Sequence, residues 1–251
     1  MRHGWRSDPV VERHVGPIVA RWTPPEDPPA DLTLTGHHAH LRPLDPARDT
    51  DPLFDRIGPH PWLFDYLFDA PPATVGDFGA IMAAVFAADG LALAICRAGA
   101  ADPLGYACLM NVDTAAGGIE IGNVNLSPDL QRTPVATEAF FLLCDWAFDA
   151  GYRRMVWKCN ALNMPSRRAA QRLGFSYEGT FRQHLIVKGR NRDTAWFAMT
   201  DGDWPGLRSA YLDWLAPTNF DARGQQCSNL GVLTAPYRFA SDPALETKDR
   251  A

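Results

Sequence analysis

The sequence predicts an α/β layered domain with a mixed β-sheet. Short apolar runs separated by turn residues indicate strands in the middle and the second half of the chain. Longer segments with apolar side chains at three- and four-residue spacing indicate helices. The resulting order is strand, helices, three strands, helix, strand, helix and two strands. Such alternation is typical of helices layered on a sheet.

Proline content and patterning divide the 251 residues into an arm, a domain and a tail. The arm covers residues 1–36 and contains a stiff, polar connector with prolines at positions 24, 25, 28 and 29. Three apolar side chains before the connector are available to pin the arm onto a neighbouring surface: Ile18, Val19 and Trp22. The domain covers residues 37–215, and residues 216–251 form a loosely patterned tail.

The composition is that of a globular protein with a sizeable core. Hydrophobic residues make up 46% of the chain and charged residues 21%. The net charge of −5 argues against a nucleic-acid partner and suits an amine-bearing substrate. We see no secretory signal, no apolar run that could span a bilayer, and no Cys-x-x-Cys pair among the five cysteines. We therefore expect a cytoplasmic protein with reduced thiols and no membrane partner.

The first half of the domain predicts one strand, several short helices, a longer helix and three strands. His40 to Leu44 predicts the first strand. Between residues 45 and 69, Pro52 and two further prolines favour short helices over one long helix. Residues 74–88 carry the apolar spacing of a helix. Three consecutive strands follow, over residues 91–96, 104–112 and 118–126.

The second half of the domain begins with a helix over residues 135–150 that is apolar over most of its circumference. Such a helix lies against a sheet and is covered on other sides too. A short apolar strand over residues 155–157 has the composition of an interior strand. The remaining elements are a helix over residues 163–173, two hairpin strands over 176–187 and 194–200, and a last helix over 203–215.

The loop before the long helix has the chemistry of an anion site. A helix N-terminus presents backbone N–H groups without partners and the positive end of the helix dipole, for which a pyrophosphate is a natural ligand. Thr133 is a favoured N-cap residue, and Pro134 is a favoured first helical residue. Val135, Ala136 and Thr137 then offer N–H groups beside small or slim side chains.

Several motifs occur together in one order. They are Glu120-Ile121-Gly122, the segment 131–139, the turn Asn163-x-x-Ser166, Leu173-Gly174-Phe175, Glu178-Gly179 and Gly189-x-x-x-Asp193. In this order and spacing they resemble the GNAT superfamily of acyl-CoA-dependent N-acyltransferases, and within it the branch of ribosomal-protein alanine acetyltransferases. The resemblance covers roughly residues 37–215.

The resemblance implies a mixed, mostly antiparallel sheet whose two middle strands splay apart, with acetyl-CoA or another acyl-CoA inserted between them and no metal. One strand then runs beside the pantetheine, the loop binds the pyrophosphate, and the Asn-x-x-Ser turn borders the thioester. The implied cofactor-binding residues are Val124, Asn125, Leu126, Gln131, Arg132, Thr133, Val135, Ala136, Thr137, Asn163 and Ser166.

Catalysis in this interpretation is a direct attack by a neutral amine, which needs a base. Glu120 is the first candidate for that base, although it is equally able to form a plain salt bridge on the sheet surface. Ala170 stands where many relatives carry a tyrosine, so a proton for the departing thiolate must come from Ser166, from water or from an unplaced side chain. Pro134 replaces a family glycine and removes one N–H donor, for which Arg132 is available to compensate.

Two functions follow from these residues. The first is transfer of an acyl group, acetyl before others, to an amine of a small molecule, a peptide or a protein N-terminus. The alternative is a catalytically silent CoA-binding sensor or interaction module, which the missing tyrosine and Pro134 favour. The arm either covers the acceptor groove or reaches a second subunit, so a homodimer is one expectation.

Other polar residues have simpler interpretations beside functional ones. Three histidines, His37, His38 and His40, lack carboxylate or cysteine company, which argues against a metal site. His184 has the surroundings of a core histidine, and Cys159 those of a packed thiol rather than a nucleophile. The arginines of the short helix form either a solvated face or a contact with the cofactor's ribose phosphate: Arg167, Arg168 and Arg172. An acceptor groove lined by aromatic side chains is expected near Trp62, Phe64 and Tyr66.

Overall fold

Eight strands form one sheet in the computed structural model, which describes residues 16–246. The strands are β1 Leu34–Thr35, β2 Ala39–Pro43, β3 Leu91–Arg97, β4 Pro103–Asp113, β5 Gly118–Leu126, β6 Arg154–Asn160, β7 Ser176–Val187 and β8 Arg190–Thr200. Their order in the sheet is β1-β2-β3-β4-β5-β6-β8-β7. Neighbouring strands are antiparallel, apart from the parallel pair β5 and β6. The predicted mixed, mostly antiparallel sheet is therefore confirmed.

Helices flank the sheet on both faces. They are α1 Pro46–Ile57, α2 Val75–Ala87, α3 Pro134–Asp149, α4 Met164–Arg172, α5 Trp204–Leu215, α6 Leu230–Thr234 and α7 Pro243–Glu246. Because alternate side chains of a strand point to opposite faces, the sheet contributes to two hydrophobic cores. The first core lies under α3 to α6, with Leu93 and Ile95 from β3. The second lies under α1 and α2, with Ala92 and Ala94 from the same strand.

The two parallel strands separate halfway along. They pair from Gly118 with Arg154 as far as Ile121 with Trp157, although β5 continues to Leu126 and β6 to Asn160. On its other side, β5 stays paired with β4 to its end. The predicted splay of the middle strands is therefore confirmed, and it opens a wedge with unpaired strand edges on both sides.

Residues 45–69 form two short helices, α1 and a 3-10 helix over Pro61–Phe64, as predicted, but Pro52 lies inside α1 and does not interrupt it. The helix begins at an N-cap, Asp45, whose carboxylate accepts a hydrogen bond from the N–H of Ala47 at 3.0 Å. Leu53 and Ile57 are fully buried in the second core. Burial of this face outweighs the one backbone hydrogen bond that the proline removes. The hairpin also differs from the prediction, because β8 begins at Arg190.

Trp22 pins the arm to the end of α3. Its indole N–H donates to the carbonyl of Gly151 at 3.0 Å, and the guanidinium of Arg153 lies 5.4 Å from the ring centre. By contrast, Ile18 and Val19 are exposed, so these two side chains do not anchor the arm as predicted. Residues 1–15 of the predicted arm lie outside the described residues.

The tail packs on the domain as far as residue 246. The fully buried carboxylate of Asp242 accepts two hydrogen bonds from the guanidinium of Arg167, at 2.6 and 2.7 Å. Leu230 is fully buried, and the hydroxyl of Thr234 donates to the carbonyl of Arg172 at 3.1 Å. These contacts fix residues 216–246 against α4 and α5, although their sequence shows little periodicity.

Candidate functional site

Glu120 lies on β5 just before the middle strands part. Its neighbours along the strand, Ile119 and Ile121, belong to the first core, so Glu120 points to the face that α1 and α2 cover. The side chain is 6% exposed. Oε2 lies 2.5 Å from Nζ of Lys158 and accepts a hydrogen bond from the amide of Asn111 at 2.7 Å. The salt-bridge interpretation of Glu120 is therefore realised in the structure.

The second oxygen of Glu120, Oε1, accepts no hydrogen bond from any residue between 16 and 246. A Cβ at position 122 would lie 3.2 Å from this atom, so Oε1 points along β5 toward Gly122. Since pairing with β6 has ended there, the free oxygen faces the start of the wedge. Oε2 is therefore fixed by Lys158 and Asn111, and Oε1 faces the wedge.

A polar row crosses the sheet beside Glu120. Lys158 on β6 places its ammonium 4.5 Å from the ring centre of Trp196 on β8, a favourable cation–π contact. Asn111 lies on β4 at a shift in the β4–β5 register and has a left-handed φ of 49°. Neither Lys158 nor Asn111 was predicted from the sequence to lie at this site. A lysine alternating with apolar residues on an interior strand was the available signal.

The loop before α3 has the predicted cap. The hydroxyl of Thr133 accepts from the N–H of Ala136 at 3.2 Å, and the carbonyl of Thr133 accepts from the N–H of Thr137 at 3.2 Å. The N–H groups of Arg132, Thr133 and Val135 donate no hydrogen bond to any residue between 16 and 246. Three backbone donors thus stand open at the positive end of α3, while those of Ala136 and Thr137 are already used.

Gln131 connects this loop to the end of β5. Its side-chain amide donates to the carbonyl of Leu126 at 3.0 Å. The N–H of Ser127 donates to Leu104 on β4, and successive backbone groups of a strand point to opposite sides. The N–H of Leu126 therefore points away from β4, into the wedge. The loop and the free strand edge form one continuous surface.

The Asn-x-x-Ser turn is built as an N-cap. Oδ1 of Asn163 accepts from the N–H of Ser166 at 3.1 Å, which starts α4 beside the end of β6. The hydroxyl oxygen of Ser166 accepts from the indole N–H of Trp157 at 3.0 Å. Burial raises the pKa of Cys159 to about 11, partly offset by a hydrogen bond with Ser166. Ser166 thus lies between Trp157 and Cys159, and Cys159 is a packed, neutral thiol at neutral pH.

Val124 and Leu126 pack against the first core, whereas Asn125 turns to the opposite face. The Asn125 side chain is 3% exposed, and its amide nitrogen has no partner within the described part of the chain. Asn125 pairs with Tyr106 on β4, so by the alternation that turns Leu126 toward the wedge its own backbone N–H points toward β4. Burial raises the pKa of the Tyr106 hydroxyl, which stays neutral.

The three arginines of α4 differ from one another. Arg168 is exposed, as on a solvated face. Arg167 is buried in its ion pair with Asp242, so it is neither solvated nor available to a ligand. Arg172 donates to the hydroxyl of Thr137 at 3.2 Å, next to the open donors of the loop. Only this third side chain lies beside the predicted pyrophosphate site.

The histidines take structural positions. The backbone N–H groups of His37 and His38 donate to the buried carboxylate of Glu138 at 2.9 and 2.5 Å. His184 is exposed, which corrects the prediction of a core histidine, and its Nδ1 lies 2.9 Å from the hydroxyl of Thr194. The irregular pairing of β7 between Phe181 and Leu185 turns the histidine ring outward. Between residues 16 and 246, no three His, Cys, Asp or Glu side chains form a metal-binding group.

The aromatic side chains predicted to line an acceptor groove lie in different environments. Phe64 is fully buried in the second core, and Trp62 is half exposed. Phe68 instead lies on the open side, with the guanidinium of Arg192 4.4 Å from its ring centre. Within residues 16–246, no helix has both the length and the apolar character needed to cross a bilayer.

Comparison with known protein families shows to which family the chain belongs. The family model of the acetyltransferase (GNAT) domain matches residues 38–176. The chain belongs to the GNAT acetyltransferase family. GNAT enzymes take their acyl group from acyl-CoA, so family membership makes acyl transfer the class of activity. No curated protein gives a significant match to the sequence.

Solved structures of GNAT proteins are similar over most of this chain. A GCN5-related N-acetyltransferase from Brucella melitensis is 42% identical with a TM-score of 0.81, covering 86% of this chain and 99% of that one. A GNAT acetyltransferase from Chromobacterium violaceum is 38% identical with a TM-score of 0.73, covering 79% and 100%. The microcin C7 self-immunity acetyltransferase MccE, solved with acetyl-CoA and AMP, is 21% identical over 66% of this chain and 93% of that one, with a TM-score of 0.57. That last similarity concerns the fold alone.

Proposed function

We propose that this GNAT protein transfers an acyl group, acetyl in the simplest case, from acyl-CoA to the amine of a small molecule or of a peptide N-terminus. The observation that carries the proposal is the wedge that opens after Ile121 and Trp157. A carboxylate oxygen of Glu120 faces its start, and the open N–H donors before α3 lie beyond its far end. The two features are what an acyl carrier with a pyrophosphate needs.

In the proposed complex the pyrophosphate binds the N–H groups of Arg132, Thr133 and Val135, with the exposed Arg132 side chain close by. The pantetheine runs along the free edge of β5 from Val124 to Leu126. Its amides pair with strand backbone in the way that a further strand would. This placement brings the thioester toward Asn163 and Ser166.

In the proposed reaction a neutral amine attacks the thioester carbonyl. The new C–N bond forms, the C–S bond breaks, and CoA leaves as the thiol. Oε1 of Glu120, reached directly or through one water, takes the proton that the amine loses. A backbone N–H on the free edge of β5 near Leu126, one that the pantetheine amides leave unpaired, stabilises the carbonyl oxygen as charge develops on it. The hydroxyl of Ser166, whose oxygen already accepts from Trp157, relays a proton from solvent water to the thiolate and is itself protonated again at the end of the step.

Two measurements on the purified protein test this proposal. Calorimetric titration with acetyl-CoA should give saturable binding, and free thiol should then appear when acetyl-CoA is mixed with a panel of amines and peptides. Binding without thiol release from any amine would favour the silent CoA-binding module. No binding at high micromolar acetyl-CoA would refute both functions. A cytoplasmic location and a homodimer stay predictions from the sequence.

A further inference from the structure

Arg192 is a buried arginine with unused donors. It is 8% exposed, and its Nε and Nη1 have no hydrogen-bond partner among residues 16–246. A guanidinium carries five N–H donors and cannot shed its charge, so leaving it buried without partners is unfavourable. A protein that keeps such a group at an otherwise ordered strand has a use for its donors.

The guanidinium lies on the same side of the sheet as the candidate base. Arg192, Thr194 and Trp196 alternate along β8, whereas Ala195 and Phe197 face the first core. Burial lowers the pKa of Arg192, while the negative charge of Glu120 raises it. Thr194 pairs with Asn160 at the end of β6, so this side of β8 adjoins the opening of the wedge.

Two segments lie close to Arg192: the connection between α1 and α2, and the tip of the β7–β8 hairpin. Phe68, between α1 and α2, presents its ring to the guanidinium. Lys188, at the tip of the β7–β8 hairpin, donates its ammonium to the carbonyl of Phe64 at 2.7 Å and so ties the hairpin to the same segment. A second buried donor, Nε1 of Trp196, is also without a partner in the described chain.

Hydrogen-bond donors and positive charges outnumber acidic groups around Arg192. Arg192, Trp196 and Lys158 supply donors and positive charge, whereas Glu120 supplies the one acidic group of the polar row. A ligand that complements this arrangement has an amine near Glu120 and an acceptor with negative charge near Arg192. A planar carboxylate fits a guanidinium with two parallel hydrogen bonds.

We propose that Arg192 binds a carboxylate of one of the two reactants, so that this enzyme uses either a dicarboxylic acyl-CoA or an amine that bears a carboxylate. The inference rests on the proposed function and names its substrate class. Arg192 is then a substrate-binding residue, and Phe68 holds its guanidinium in place by stacking.

Matched substrates distinguish the two sources of the carboxylate. The donor arm of the experiment compares succinyl-CoA with acetyl-CoA. The acceptor arm of the experiment compares amino acids with their carboxamides. Thiol release is measured for the wild type, Arg192→Gln, Arg192→Lys and the control Arg190→Gln, an exposed arginine of the same strand. In one arm we expect the wild type to prefer the carboxylate by about 10- to 100-fold in kcat/KM, as one lost charge-assisted pair implies. Arg192→Gln should abolish that preference, Arg192→Lys should keep part of it, and Arg190→Gln should resemble the wild type.

The outcomes separate this inference from the proposed function. A preference in the donor arm places the carboxylate on the acyl group, and one in the acceptor arm places it on the amine. Thiol release without a preference in either arm, or a preference that Arg192→Gln retains, overturns the inference and leaves acyl transfer standing.

Where acetyl-CoA fails to bind, the proposed function falls, and the nitrogen resonance of the Arg192 Nε–H decides the inference. A shift on adding succinate but not succinamide to the CoA-free protein supports it, and no shift overturns it. Arg190→Gln again serves as the control, because it should leave the response to succinate unchanged.

Discussion

The ammonium of Lys158 lies 2.5 Å from Oε2 of Glu120, one residue before the middle strands part. Asn111 donates to the same oxygen, so the carboxylate is fixed in orientation while Oε1 faces the wedge. In the proposed reaction, a carboxylate that is held in this way loses little side-chain entropy when an amine arrives. The ion pair that a purely structural role would explain is therefore also compatible with the proposed base.

Replacing the carboxylate tests Glu120 directly. Glu120→Gln keeps the shape and a hydrogen bond to Lys158 but removes the proton acceptor, so we expect kcat to fall by about 10²- to 10⁴-fold. CoA affinity should stay within a few fold of the wild type. Glu178→Gln is the matched control, because Glu178 is also ion-paired, with Arg154, away from the wedge. Equal activity of Glu120→Gln and the wild type would exclude Glu120 as the base.

Restoring an N–H donor tests the loop before α3. Pro134 supplies none, whereas Pro134→Ala and Pro134→Gly both restore it. If the loop binds pyrophosphate, both variants should bind CoA more tightly by up to about 10-fold, the value of one charge-assisted hydrogen bond. Dephospho-CoA should gain as much as CoA, because it keeps the pyrophosphate. Affinities measured by calorimetry that do not change, or that weaken, would place the pyrophosphate elsewhere.

Cys159 should be unreactive at neutral pH. With a pKa of about 11, its thiolate makes up roughly one molecule in a thousand at pH 8. Iodoacetamide at that pH should first label Cys227, the one exposed cysteine of the five. Cys227→Ser should abolish the fast labelling, and Cys159→Ala should keep kcat within about threefold. Isolation of an acylated Cys159 by mass spectrometry would contradict direct attack.

The buried ion pair of Arg167 and Asp242 should hold the tail on α4. Asp242→Asn leaves the guanidinium buried without its counter-charge, so we expect a loss of about 3 kcal/mol in the free energy of unfolding. Urea denaturation measures this change. The exposed pair of Arg223 and Asp221 gives the control, since Arg223→Gln should cost less than about 1 kcal/mol. Equal effects of the two substitutions would show that the tail contributes little to stability.

Asp49 should make stability depend on pH in the acid range. Burial raises the pKa of its carboxyl, but hydrogen bonds from Arg42, Arg48 and the backbone of Asp45 outweigh burial and lower it from 3.8 to about 2. Because the folded pKa is the lower one, this carboxylate stabilises the fold above pH 4, and the effect disappears as pH falls toward 2. Asp49→Asn should thus lose about 2 kcal/mol at pH 7 and approach the wild type near pH 2.

Thermal or urea unfolding across pH 2–7 measures the Asp49 effect. Asp51→Asn, an exposed carboxylate of the same helix, is the control and should follow the wild type at every pH. A difference between Asp49→Asn and the wild type that stays constant with pH would assign the stabilisation to packing instead of charge.

Most elements were predictable because their signals are local. Apolar periodicity and turn residues predicted the strands and helices near their observed bounds. Thr133 and Asn163 indicated where α3 and α4 begin, and both are N-caps in the structure. The continuation of α1 through Pro52 was not predictable in this way. The free-energy cost of the proline is local, whereas the burial of Leu53 and Ile57 that outweighs it depends on a strand distant in the sequence.

The sequence by itself determined the order of elements, the cap before α3 and the motifs by which the family is recognised. The tertiary structure alone decided that Lys158 pairs with Glu120, that Asp242 reaches across 75 positions to Arg167, and that Arg192 is buried beside Phe68. These are contacts between side chains that chain folding brings together from separate elements. Their energies depend on distance and burial in three dimensions, which no spacing along the chain encodes.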